Sequence, residues 1–254
     1  MMHKSWRKEC CEFLQVNEDE NTEEHNYDLV FPNSQCLECQ HNIRAWENIP
    51  VISYLFLRGK CSSCQSTISL RYPVVELLTS TLSLIVAWHF GVSLQLIPAL
   101  LLTWALIALC FIDVDHQLLP DDITLPFLWI GLLCNIFGLY TNIYSSLFGA
   151  MAGYLSLWLV YISFKLVTGK EGMGHGDFKL LAVIGAWMGW EILPLTIVLS
   201  SLCGAIIGVS MITFQGHDRK QPIPFGPYLA IAGWIALIWG QEITASYNSW
   251  LLQP

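Results

Sequence analysis

The sequence predicts an all-α polytopic membrane protein of about seven transmembrane helices, carrying a small N-terminal head. Three observations predict it. The 254 residues are 54% apolar and only 13% charged, about half the charge that soluble domains carry. The charge is uneven: residues 1–72 are polar and acid-rich, and the remainder is nearly continuous apolar sequence broken by short polar joints. Several apolar runs approach the roughly 20 residues that a helix needs to cross a bilayer. The expected organisation is a mobile acidic segment over 1–30, a head over 31–72, a membrane domain over 73–246 and a short tail over 247–254.

The first 30 residues show no sustained period, and no signal peptide or first apolar segment stands ahead of the head. The dense run Glu18 to Glu24 reads as a solvated acidic segment. A net charge of -8 argues against a nucleic-acid partner, which needs a basic face. Cys10 and Cys11 receive no role, and Cys110, Cys134 and Cys203 read as small core residues.

The head holds the pairs Cys36/Cys39 and Cys61/Cys64, with 21 residues between them. Each C-x-x-C turn points two thiolates at one metal, and two turns complete a tetrahedron. A structural zinc site is expected: a closed four-thiolate shell leaves no position for substrate. A head this small has little core, so the metal would supply folding energy.

Seven apolar segments follow, over about Val74–Phe90, Leu96–Ile112, Ile123–Tyr140, Tyr144–Val167, Phe178–Trp190, Ile192–Phe214 and Tyr228–Ile243. Asp121 or Asp122 is expected to cap the third. The fifth is marginal as a span alone, and tilt, local thinning or burial by neighbours would accommodate it. Gly149/Gly153, Gly185/Gly189 and Gly204/Gly208 each suggest a close helix contact. All 12 Lys and Arg fit one side: the head, Lys165, Lys170, Lys179, Arg219 and Lys220. That places the head and the loops holding Asp113 and Asp177 in the cytoplasm.

Two acidic stretches stand at that boundary. Asp113 directly follows an apolar run, and Asp177 lies in Gly172-Met173-Gly174-His175-Gly176-Asp177-Phe178-Lys179. Ionisable groups at such positions are functional-site candidates. Gly174 and Gly176 would let a substrate backbone approach Asp177. Asp115, His116 and His175 read as hydrated. Two aspartates brought together share a proton: one donates while the other activates water against a peptide carbonyl. No serine or cysteine with a base partner competes, and no H-E-x-x-H motif offers a zinc route.

Taken together, Pro32-Asn33-Ser34 with the four cysteines, Trp46-Glu47-Asn48-Ile49-Pro50, Arg71-Tyr72-Pro73, Asp113 through Leu119-Pro120-Asp121, Gly174-x-Gly176-Asp177-Phe178-Lys179 and Pro224-Phe225-Gly226-Pro227 resemble the bacterial type IV prepilin peptidases. These are a branch of the G-x-G-D aspartyl membrane proteases. The resemblance implies an inner-membrane enzyme that cleaves the basic leader from type IV prepilins and type II secretion pseudopilins, on the cytoplasmic side after a glycine. Many members then N-methylate the new terminus with S-adenosylmethionine. The resemblance places the catalytic pair at Asp113 and Asp177, and the zinc ligands at Cys36, Cys39, Cys61 and Cys64. Members usually open with a further membrane helix and a Gly-Ser-Phe-Leu-Asn-like stretch, which are not found here. Methyl transfer is expected to depend on them more than cleavage does, so a peptidase-only enzyme is the alternative. An ion-coupled transporter would place acids nearer mid-bilayer, and a non-catalytic assembly scaffold would tolerate loss of both aspartates.

Overall fold

A computed structural model of the protein describes residues 35–36, 38–44, 46–47, 49, 51–169, 173–215 and 224–251. The acidic segment over 1–30, Gly172, Lys170, Arg219 and Lys220 lie outside them. The chain divides into two compact units, Met1–Leu78 and Thr79–Pro254.

The first unit is small. Among its described residues a short helix, α1 (Ile52–Phe56), buries none of its side chains. Gly59, at φ +70, turns the chain after it, and a Cβ there would meet the Tyr54 hydroxyl at 2.7 Å. Two isolated antiparallel bridges, Gln35 with Asn42 and Lys60 with Thr67, close two tight hairpins.

All seven apolar segments are helical: α2 (Arg71–Phe90), α3 (Leu96–His116), α4 (Asp121–Ile136), α5 (Ile143–Thr168), α6 (His175–Met188), α7 (Leu193–Gln215) and α8 (Gly226–Leu251). Among the described residues five stretches are long and apolar enough to cross a membrane: Arg71–Phe90, Leu96–His116, Ile143–Thr168, Trp190–Ser210, which adds the short 3-10 turn ahead of α7, and Gly226–Tyr247. Helices α4 and α6 are shorter, at 16 and 14 residues. The first helix starts before Val74, and α8 continues past Ile243 to Leu251, through most of the stretch read as a tail.

Local signals set several ends. The Asn142 side chain accepts from the Ser145 amide at 2.7 Å and caps α5. Gly169, at φ 68, closes that helix in the left-handed conformation that glycine adopts freely. The third apolar segment does not start as expected. Pro120 is the residue ahead of α4, and neither acid caps it by side chain.

The shortness of α6 has a physical cause. Ten of its 14 residues are buried, from Asp177 and Phe178 through Trp187. A helix apolar on every side belongs inside a bundle, and α6 packs against α4, α5 and α8. It need not match the bilayer by itself. By contrast α2 buries Val86 alone.

Glycines allow the closest contact. A Cβ on Gly149 would lie 2.3 Å from the Gly185 carbonyl oxygen, and one on Gly185 would lie 2.1 Å from that of Gly149. One on Gly153 would lie 2.6 Å from the Leu181 carbonyl oxygen. Apolar side chains gain little by leaving lipid for each other, so close packing of small residues is what holds α5 to α6. Gly189 departs from the expected pairing: at φ 90 it caps the end of α6 rather than continuing its face.

Candidate active site and metal centre

Asp113 lies in the last turn of α3, where its carbonyl accepts the Gln117 amide at 2.8 Å. Gln117 closes the helix at φ 54. The Asp113 side chain is 5% exposed. Its Oδ2 is buried and finds no hydrogen-bond partner among the described residues. Few buried polar atoms are left so, and each one asks for a reason. Gly226, first residue of α8, lies against it: a Cβ there would meet Asp113 Oδ2 at 2.6 Å. The Gly226 amide interacts with the same carboxylate.

Asp177 is the third residue of α6 and is 6% exposed. Its carboxylate interacts with the amide of Gly174, the residue that precedes the helix. An acid at this position satisfies an amide that the helix leaves free, and suits the positive end of the helix dipole. Asp113 and Asp177, 64 positions apart in sequence, lie close enough for the charge of one to act on the other.

The two glycines of the motif differ. Gly174 is exposed and has open space, its nearest neighbour being Asp177 Oδ2 at 3.9 Å from a built Cβ. A Cβ on Gly176 would meet that of Leu119 at 2.6 Å. The close approach that Gly176 permits is therefore made by this chain's own loop. Leu119 Cδ1 also lies 3.2 Å from a Cβ built on Gly226, so one side chain is wedged against both Gly176 and Gly226. Neither Gly174 nor Gly176 has a positive φ; space rather than unusual backbone is what glycine supplies here.

The other polar candidates form the rim. Asp115, His116 and Asp122 are exposed. Asp121 binds Lys179 Nζ through both oxygens, at 2.6 and 2.7 Å, instead of capping α4. The His175 ring, at the start of α6, packs against Tyr161 at 5.2 Å and Phe178 at 5.5 Å between centroids.

In the first unit the four cysteines converge. Their Sγ atoms all lie within 4.8 Å of one another, with Cys36 to Cys64 at 3.8 Å and Cys39 to Cys61 at 4.0 Å. Tetrahedral zinc with bonds of about 2.3 Å needs sulfurs about 3.8 Å apart, so the donor set fits. The two halves are near copies. The Cys36 amide donates to His41 O at 3.0 Å and the Cys61 amide to Ser66 O at 2.8 Å. Gln40 and Gln65, each following the second cysteine, take φ 55 and φ 59. The amides of Cys39 and Glu38 hold the Cys36 thiol down at about 6, and Ser66 lowers Cys64. For Cys39 the His41 amide lowers the thiol, but desolvation and the neighbouring sulfurs outweigh it and push it up to about 11. Cys39 thus resists ionising beside its neighbours, and a bound cation would offset that.

Comparison with known proteins agrees on one family. The profile of the Type IV leader peptidase family matches residues 100–209, and that of the Bacterial Peptidase A24 N-terminal domain matches residues 8–90. A Pseudomonas aeruginosa protein named prepilin leader peptidase/N-methyltransferase is 59% identical over 247 residues, covering 97% of this chain and 84% of its own length. Proteins of the same name from Stutzerimonas stutzeri and Legionella pneumophila are 58% and 45% identical, each over 97% of this chain and 85% of their own length. No solved structure matches significantly.

Proposed function

The chain belongs to the type IV leader peptidase family, and on that premise we propose that it removes the leader from type IV prepilins with Asp113 and Asp177 as its catalytic pair. The protein is a multi-pass membrane protein, an aspartic peptidase, and by its kinship also an N-methyltransferase. One observation carries the catalytic assignment. Two carboxylates from α3 and α6 are buried together, one acting on the other, and an oxygen of Asp113 is left unpartnered among the described residues.

The chemistry follows from a shared proton. The neutral carboxyl donates to the scissile carbonyl oxygen. The ionised one takes a proton from water, and the water oxygen bonds to the carbonyl carbon. Collapse of the tetrahedral intermediate breaks the carbon–nitrogen bond as the leaving amine takes a proton. Gly174, open and next to Asp177, leaves room for an extended substrate backbone.

Charge placement supports a cytoplasmic site in the bacterial inner membrane. Lys165 and Lys179 stand at the end of α5 and the start of α6, level with Asp177. The opposite end, near Asn142 and Glu191, has no basic residue. Type II secretion pseudopilins share the substrate role. Cys36, Cys39, Cys61 and Cys64 hold a structural zinc ion that stabilises the head and takes no part in hydrolysis. S-adenosylmethionine supplies the methyl group in the second reaction, and no residue of this chain is assigned to hold it.

The test is incubation of the purified protein with a prepilin and S-adenosylmethionine, read by mass spectrometry. The expected product lacks its leader and carries one added methyl group at its new N-terminus. An intact prepilin would reject the peptidase; a cleaved but unmethylated one would restrict the protein to cleavage.

A further inference from the structure

Helix α6 ends inside the protein, where its last carbonyls have no donor from the helix itself. Gly185 O receives the Gly189 amide at 2.8 Å. Ala186 O and Trp187 O receive the side-chain amide of Asn135, at 2.8 and 2.9 Å. Asn135 is next to last in α4 and is 1% exposed. Its Nδ2 also lies 3.2 Å from Ser146 Oγ, and the Ser146 hydroxyl donates to Ala186 O. On its other side Oδ1 accepts from the amides of Tyr140 and Thr141, each at 3.1 Å. A carboxamide has two donor hydrogens and two acceptor lone pairs. All are spent here, mostly on backbone of other segments.

We infer that Asn135 is a positioning residue for Asp177: it clamps the far end of α6, and the rigid helix carries that placement to the aspartate. The inference rests on the catalytic reading of Asp113 and Asp177. Nine positions separate Asp177 from Ala186, about 14 Å along the helix axis. The flanks of α6 are already fixed sideways. Gly149 meets Gly185 backbone to backbone, Gly153 meets Leu181, and Trp187 Nε1 donates to Phe127 O at 2.7 Å over Gly131. Flat glycine faces set the distance between helices but offer no knob to stop one sliding along the other. Bonds to the terminal carbonyls, together with the Trp187 bond to Phe127 O, oppose that slide. At the near end the ion pair Lys179–Asp121 is partly solvent-accessible, and such pairs hold weakly. Asp113 belongs to α3, so an axial shift of α6 changes the separation of the two carboxylates directly.

The experiment measures steady-state cleavage of a prepilin by purified Asn135→Ala, Ser146→Ala and Asp177→Asn. Each is assayed below its melting temperature, with kcat expressed per folded molecule. A misplacement near 1 Å costs about a hundredfold in rate. Asn135→Ala is therefore expected to lower kcat about 10- to 100-fold while KM stays within about twofold. Ser146→Ala keeps both Asn135 bonds to α6, and a fall of about threefold is expected from the same cause. A wild-type kcat per folded molecule in Asn135→Ala overturns the inference. So does a loss that merely tracks the unfolded fraction, or one confined to KM. If Asn135→Ala does not fold, the nearly isosteric Asn135→Leu, which also lacks both donors to α6, is judged by the same criteria, and a wild-type kcat per folded molecule in that variant overturns the inference. Normal cleavage by Asp177→Asn is a different failure: it removes the catalytic reading itself, whatever the clamp does.

Discussion

The cysteine cluster and the aspartate pair are both built from acidic donors far apart in sequence, yet they differ in what completes them. Cys36, Cys39, Cys61 and Cys64 are presented by two near-identical hairpins, with sulfurs spaced as one tetrahedral cation requires. Asp113 and Asp177 come from opposite ends of two different helices, and one carboxylate oxygen has no partner among the described residues. A shell that closes on a cation has no position left for a reactant. A buried pair left short of partners has one for water and for a peptide carbonyl. On the proposed assignment the first arrangement holds a fold and the second does chemistry.

Substitutions that break one site and spare the other sharpen this contrast. The largest effect on cleavage is expected from Asp113→Asn or Asp177→Asn: a fall of about a thousandfold or more, in the upper range for loss of a general acid or base. Zinc content should not change.

Gly185→Leu comes next. Its side chain would collide with the Gly149 carbonyl, which is backbone and cannot step aside cheaply. Overpacking of about 3 kcal/mol is expected, read as a lower melting temperature and a cleavage rate reduced at least about tenfold.

Cys61→Ser should act on the other side of the contrast. Metal analysis is expected to find no bound zinc, with the head destabilised and cleavage kept within about tenfold, since no hydrolytic step uses the metal. Acid should mimic it. Cys36, held at about 6 against an ordinary 9.0, contributes its full stabilisation above pH 9 and loses it as pH falls through about 6. Protons and metal compete for the same sulfurs, so zinc affinity should fall with falling pH.

The smallest change is expected from Lys179→Met. That pair is solvent-accessible, and its loss should cost under about 1 kcal/mol and move cleavage by less than about twofold.

The two sites were also unequally legible in the sequence. Metal ligation is a local rule, so Cys-x-x-Cys at two places predicts the cluster directly. The repeat of Gln after each second cysteine, at Gln40 and Gln65, was a further signal of duplicated hairpins. Asp113 and Asp177 stood out because carboxylates at the ends of apolar runs are costly. What surrounds them did not stand out. Gly226 reads as part of a Pro-Gly breaker, and nothing local says that it lies on Asp113. Asp121 obeys the capping rule on paper, but its partner is Lys179, 58 positions away. The length of α6 marked it as unusual without saying whether lipid or protein surrounds it. Asn135 offered a signal that went unread: a carboxamide inside an apolar run must find partners, and it finds them on α6.

The aspartate pair is tested most directly by leader cleavage with Asp113→Asn and Asp177→Asn, each purified from membranes and assayed beside the unaltered protein for cleavage and bound zinc. Expected are two folded, zinc-replete proteins that leave the prepilin intact. Cleavage at the unaltered rate by either variant would contradict the assignment.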